Sequence, residues 1–231
     1  VKTIEKKPQI ADNKGKDSKT TVESSDKTSK VQEYIEAIII AILIAVVVRT
    51  FVVQAYKIPS RSMVPTLLVG DHLLVNKFIY GVKIPFLRKI VIPVSEPKRG
   101  DIVVFEYPQD RSKDYIKRVI GVGGDKIEIK NKEIFINDKP YKDTYGVYSD
   151  RAVYPAVVQP RDNLPAMRIP KGSLFVMGDN RDESYDSRFW GFVDLKDLEG
   201  KAWVIYWSWN AEAQDNPLRK VRWERIGQMI H

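Results

Sequence analysis

KIEIKNKEIFIN, residues 126–137, alternates apolar and polar side chains on both sides of Asn131-Lys132. Such alternation has the period of a strand with one face buried. A two-residue link between the two runs predicts a hairpin, and Asn137-Asp138 predicts a second turn directly after it. The same texture extends outward in both directions. HLLVNKFIY (72–80), DIVVFEY (101–107) and YIKRVIGV (115–122) precede it; SLFVMG (173–178) and KAWVIYWSW (201–209) follow, all bounded by Gly, Pro, Asn or Asp. Seven short strands with no long helical pattern between them predict a mainly β, antiparallel domain over residues 55–231 and argue against a parallel α/β sheet. No repeat of fixed period is present.

Ahead of this domain the composition changes twice. Residues 1–33 are dominated by Lys, Asp, Glu, Ser and Thr, with too little apolar surface to offset the entropy of ordering, so they are expected to be a disordered polar tail. Residues 34–54 contain AIIIAILIAVVV (37–48), then Arg49-Thr50, then Phe51, Val52 and Val53. With Arg49 snorkelling to a headgroup, that run just reaches the shortest membrane-crossing length of about 17 residues. A transmembrane anchor is the expectation. A buried helix of a soluble domain is the competing reading, and a cleaved leader is disfavoured by the polar residues in front of it. Charge does not orient the segment: Lys19, Lys27 and Lys30 lie before it, and Arg49, Lys57 and Arg61 after it.

The net charge of +8 is spread along the chain, which fits a solvated surface as well as an acidic partner. With no cysteine, thiol nucleophiles, disulfides and zinc-thiolate sites are excluded. The only histidines are His72 and His231, and His72 opens an apolar strand, where a structural turn role suits it better than catalysis.

Three segments carry candidate chemistry. In IPSRSMVPTLLVGD (58–71), Pro59 and Pro65 stiffen the backbone around Ser60 and Ser62, as suits a nucleophile held on a rigid loop. In DYIKRVIGVGGD (114–125), Tyr115, Lys117 and Val119 share one face of a strand, and Ile116, Arg118 and Ile120 the other. Lysine acts as a base near neutral pH only where burial or a neighbouring cation depresses its pKa, and either face could supply an apolar setting. FVMGDNRDESYDSRFWGFV (175–193) breaks from a strand into a charged cluster in which Asp186 and Arg188 could form a bracing ion pair. Asp179, Asn180 and Asp182 are oxygen donors, but their spacing is not that of a calcium loop. Each segment alone is also an ordinary turn or surface strand.

Taken together, PSxSMxPTLxxGD, YIKRVIGxxGD and GDNRDxSxDSRxWG, in that order after an apolar run, resemble the signature boxes of the bacterial type I signal peptidases over about residues 34–209. The resemblance implies a serine endopeptidase that cleaves signal peptides, with Ser62 as nucleophile and Lys117 as general base. It further implies Ser60 and the Ser62 amide as oxyanion donors, Ser184 as the hydroxyl orienting the lysine, Asp186 and Arg188 as supporting residues, and a short cap insertion at about 131–171. No metal or organic cofactor is implied. The implied partners are secretory preproteins, membrane lipid and export machinery, not nucleic acid. The implied location is the bacterial cytoplasmic membrane, crossed once, with the tail in the cytoplasm and the catalytic domain on the outer side. Gly123 stands where the family usually has Pro, and Glu183 where Asn is common. Two other readings compete: an inactive membrane-tethered β scaffold, and a related Ser-Lys autoprotease, which would carry a basic DNA-binding helix pair where this chain has an apolar run. In KAWVIYWSW, strand spacing predicts Trp203, Ile205, Trp207 and Trp209 on one face, either resting on a bilayer or packed in a core.

Overall fold

Asn131 and Lys132 both adopt positive φ, at 50° and 73°, and so do Asn137 and Asp138, at 54° and 65°. Two successive positive-φ residues suit the right-handed twist of a hairpin, which is why Asn and Asp stand at these turns. In the computed structural model, which describes residues 20–84, 89–92, 94–211, 213 and 220–231, these two turns join three strands of a small sheet.

The chain divides between Val47 and Val48. On the N-terminal side, helix α1 runs from Thr20 to Phe51. Its Lys30–Arg49 segment has a mean hydropathy of 2.3 and none of it is buried, so it is long and apolar enough to cross a membrane. It spans about 30 Å at 1.5 Å per residue, the thickness of a hydrocarbon core. A soluble core helix would have its apolar side chains covered; here Ile38, Leu43 and Val47 are all exposed. Two expected boundaries move. Residues 20–33, expected to be disordered, are helical, because extending an existing helix costs far less than nucleating one. Val53 and Gln54 leave the expected anchor for the first strand. The rest of the expected tail, residues 1–19, lies outside the described residues.

The C-terminal unit contains strands β1 (Val53–Lys57), β2 (Asp71–Asn76), β3 (Val82–Ile84), β4 (Lys89–Ile92), β5 (Ile102–Tyr107), β6 (Asp110–Val122), β7 (Lys126–Lys130), β8 (Glu133–Ile136), β9 (Lys139–Pro140), β10 (Leu164–Arg168), β11 (Ser173–Met177), β12 (Val193–Asp194) and β13 (Leu198–Ser208). A seven-stranded sheet has the order β1-β2-β13-β5-β6-β11-β12, and a four-stranded sheet the order β10-β7-β8-β9. Every strand pairing within these two sheets is antiparallel among the described residues. The small sheet includes β7, which starts at Lys126, five residues ahead of the segment expected as an insertion. Ile127, Ile129, Ile134 and Ile136 bury its inner face against Ile120, Phe175 and Met177 of the large sheet. Long β6 therefore carries the two sheets' common core at one end and passes the Ser62 loop along the way.

The expected run of strand through residue 80 stops at Asn76. The Asn76 side-chain carbonyl accepts from the Phe78 and Ile79 amides, which turns the chain into a short helix at Phe78–Tyr80. In β13 the expected single face of Trp203, Ile205, Trp207 and Trp209 is overturned. Its pairing with β2 slips at Trp203 and again at Tyr206. Each slip inserts a bulged residue, so Trp203 and Tyr206 point to solvent while Ile205 is buried.

Candidate active site

Ser62 is held by its backbone from two sides. The Asn180 amide donates to the Ser62 carbonyl at 3.1 Å, and the Asn180 side-chain amide donates to the Arg61 carbonyl at 3.3 Å. On the chain's other side Met63 and Leu67 are fully buried in the core shared by β2, β5 and β13, and the Leu67 amide donates to the Met63 carbonyl. Two apolar anchors and two inter-loop hydrogen bonds thus fix the turn that presents the hydroxyl.

Lys117 reaches that hydroxyl from the middle of β6. Its Nζ lies 2.7 Å from Ser62 Oγ and 3.0 Å from the Ile116 carbonyl, with the Tyr115 ring centroid 5.6 Å away. Lys117 is 5% exposed and Ser62 8%, so water screens the pair little. Burial is the strongest influence on the ammonium and pushes it down; the carboxylates of Asp186 and Asp179 pull it up, and Arg188 pushes it down again, leaving its pKa at about 8. A lysine in that position exchanges its proton near neutral pH. When protonated it donates to Ser62 Oγ; when neutral it accepts the serine proton.

Ser60 is exposed, and its Oγ stands 3.4 Å from Ser62 Oγ. Asp186 and Arg188 form a buried two-pronged pair, with Nε to Oδ1 at 2.8 Å and Nη2 to Oδ2 at 2.9 Å. Burial alone would raise the Asp186 carboxyl, but the charge and hydrogen bonds of Arg188, together with the Gly178 amide, hold it below the usual carboxylate range. Ser184 differs from expectation. Its buried Oγ makes no bond to Lys117 and, among the described residues, has no hydrogen-bond partner at ordinary geometry, although it lies close enough to Asp186 to help hold that charge. His72 packs edge-on against Tyr206, at 5.9 Å between rings, and makes no hydrogen bond to Ser62.

Three further residues join the boxes together. Asp179 takes two hydrogen bonds from Arg118, at 2.8 and 2.7 Å, and one from the Thr66 hydroxyl, linking all three motifs through one buried carboxylate. Gly178 lies where a Cβ would come within 2.4 Å of the Ser62 carbonyl and 2.3 Å of Ser184 Oγ, so only glycine lets the strand end pass between them. Asp179, Arg118, Thr66 and Gly178 all stand inside the quoted boxes, but their roles depend on contacts across more than 60 residues of chain, which spacing does not display. Gly123, too, has a local reason: a Cβ there would meet the Pro170 carbonyl at 2.9 Å.

The family model described as "Signal peptidase, peptidase S26" matches residues 31–207. Signal peptidase I of Pseudomonas fluorescens is 37% identical, over 81% of this chain and 76% of its own length. Signal peptidase I of Pseudomonas aeruginosa is 36% identical over the same shares. That of Aquifex aeolicus is 37% identical over 83% of this chain and 92% of its own. The matched region takes in the Ser62 loop, β6 and the charged cluster in a single stretch, and on that breadth of likeness the chain belongs to the signal peptidase family, peptidase S26, whose members are serine endopeptidases that cleave signal peptides.

Proposed function

We propose that Ser62 and Lys117 are the catalytic pair of this signal peptidase. The observation that carries the reading is the 2.7 Å contact between a buried serine hydroxyl and a buried lysine amine held near neutral pKa. Neutral Lys117 takes the Ser62 proton as Oγ bonds to the scissile carbonyl carbon. The Ser62 amide and the Ser60 hydroxyl donate to the oxyanion that results. As the C–N bond breaks, Lys117 passes its proton to the leaving amine, and the mature protein departs. Water then attacks the acyl ester with Lys117 as base, and the returned proton restores Ser62. Asp186 and Arg188 position the Gly178 amide and the loop above Lys117, and Ser184 offers its unpaired hydroxyl to the ammonium once substrate has closed the site.

The preprotein lies extended along β1, which stands at one end of the large sheet with an open edge for backbone pairing. Only four residues separate the end of β1 at Lys57 from Ser62. α1 crosses the cytoplasmic membrane once, and the catalytic unit works on the outer side, where export machinery delivers the substrate with its signal sequence still in the bilayer. The cap is the four-stranded sheet and its connections. Ser62→Ala in the full chain, incubated in detergent with a model preprotein, is expected to leave no cleavage above background while retaining the wild-type melting temperature; ordinary turnover would refute the assignment.

A further inference from the structure

A concavity of about 700 Å³ lies at the end of β1, lined by Lys57, Pro59 and Arg61 among others but by neither Ser62 nor Lys117. Among the described residues its lining contains three basic side chains, Lys57, Arg61 and Arg222, and no carboxylate. Trp207, Trp209 and Val69 supply much of the apolar wall. The floor is firmly built. Gly70, at φ 90°, brings its backbone so close to Trp209 that a Cβ would lie 1.9 Å from the Trp209 carbonyl, and the Trp209 amide donates to the Gly70 carbonyl at 2.9 Å.

Arg222 is held in place without being neutralised. Its Nη1 donates to the Val69 carbonyl at 3.0 Å and to Ser208 Oγ at 3.2 Å, and it stands 3.9 Å from Asp71. Asp71 is already engaged by Arg225, at 2.6 Å. Two guanidiniums thus share one carboxylate, and one positive charge is left over beside the cavity. Arg61 approaches Glu183 only at 4.0 Å, with both side chains more than half exposed, so its charge is screened rather than cancelled.

We propose that this cavity seats the headgroup of an anionic phospholipid, with its phosphate against Arg222 and Lys57 and the root of its acyl chains against Trp207 and Trp209. A guanidinium fork fits a phosphate by shape as well as charge. Indole rings favour the level where apolar chains meet headgroups. Chain length agrees: Lys57 follows the end of α1 at Phe51 by six residues, a reach of at most about 20 Å. An extended peptide would instead pair along the open edge of β1, of which only the last residue, Lys57, lines this wall.

The test uses the full chain in an uncharged detergent, with no substrate, so that it fails independently of the Ser62 assignment. Short-chain phosphatidylglycerol with brominated acyl chains is titrated while tryptophan fluorescence is followed. Saturable quenching is expected, weaker competition by glycerol phosphate alone, and much weaker quenching by brominated phosphatidylcholine. Lys57→Gln and Arg222→Gln should each weaken binding about fivefold, and Trp207→Phe should remove part of the quench. If Arg222→Gln fails to fold, Lys57→Gln and Arg61→Gln carry the test. Equal quenching by the two lipids, unchanged binding in the charge variants, or displacement of the lipid by an acidic peptide but not by glycerol phosphate would overturn the proposal.

Discussion

Lys117 and Arg118 are neighbours on β6, both almost fully buried, and their chemical situations are opposite. Arg118 points to one face, where Asp179 takes it in a two-pronged pair, Gly100 and His231 offer carbonyls at 2.7 and 2.9 Å, and the Tyr145 ring lies 3.6 Å away. Lys117 points to the other face and finds one backbone carbonyl and one serine hydroxyl. A buried cation whose donors are all answered is a structural fixture. A buried cation left short of partners sheds its proton easily, and that makes it a base. The strand's two-residue period separates the roles with no loop between them.

Removing each cation in turn tests the contrast. Lys117→Met is expected to lower the cleavage rate on the order of 10,000-fold or more. It should also raise stability by about 1 kcal/mol at pH 7. The sign follows from the amine: its folded pKa of about 8 lies below the ordinary 10.5, so at neutral pH the wild-type fold bears the cost of a buried proton that the unfolded chain does not. That cost is full below pH 8 and gone above about 10.5, and the methionine variant's advantage should fade across the same window in thermal melts. Arg118→Met should behave in the reverse sense. Leaving Asp179 buried and unpaired is expected to cost about 3–5 kcal/mol, read as a large fall in melting temperature, with loss of activity only where the fold is lost. A smaller effect sharpens the Lys117 face alone. Ser60→Ala should reduce kcat about 100- to 1,000-fold with KM little changed, the signature of a donor used only in the transition state.

Much of this contrast is legible in the sequence. The hairpins at Asn131-Lys132 and Asn137-Asp138 announce themselves because few residues accept two positive φ angles in succession. The lack of a usable histidine already directed attention to lysine, and opposite faces for Lys117 and Arg118 followed from strand periodicity. The sequence did not say which face was paired, because Asp179 arrives from 61 residues away. Nor did it reveal the bulges at Trp203 and Tyr206, since a bulge is a mismatch between two strands and is written in neither one alone. Ser184 marks a similar limit. Its motif brings it to the site, while its hydroxyl orientation depends on the packing of Gly178 against the Ser62 carbonyl. The helical conformation of residues 20–33 is not legible in composition, which reports whether a segment can fold by itself, whereas this one is continuous with the apolar helix that follows it.

The central claim is that Lys117 titrates near neutrality and must be neutral to act. Single-turnover cleavage of a model preprotein, followed from pH 6 to 10, measures this most directly. The rate should climb along one acid limb with an apparent pKa near 8 and level off above it. A rate that is flat from pH 6 upward, or still rising tenfold per unit at pH 10, would mean that the group taking the Ser62 proton is not this lysine.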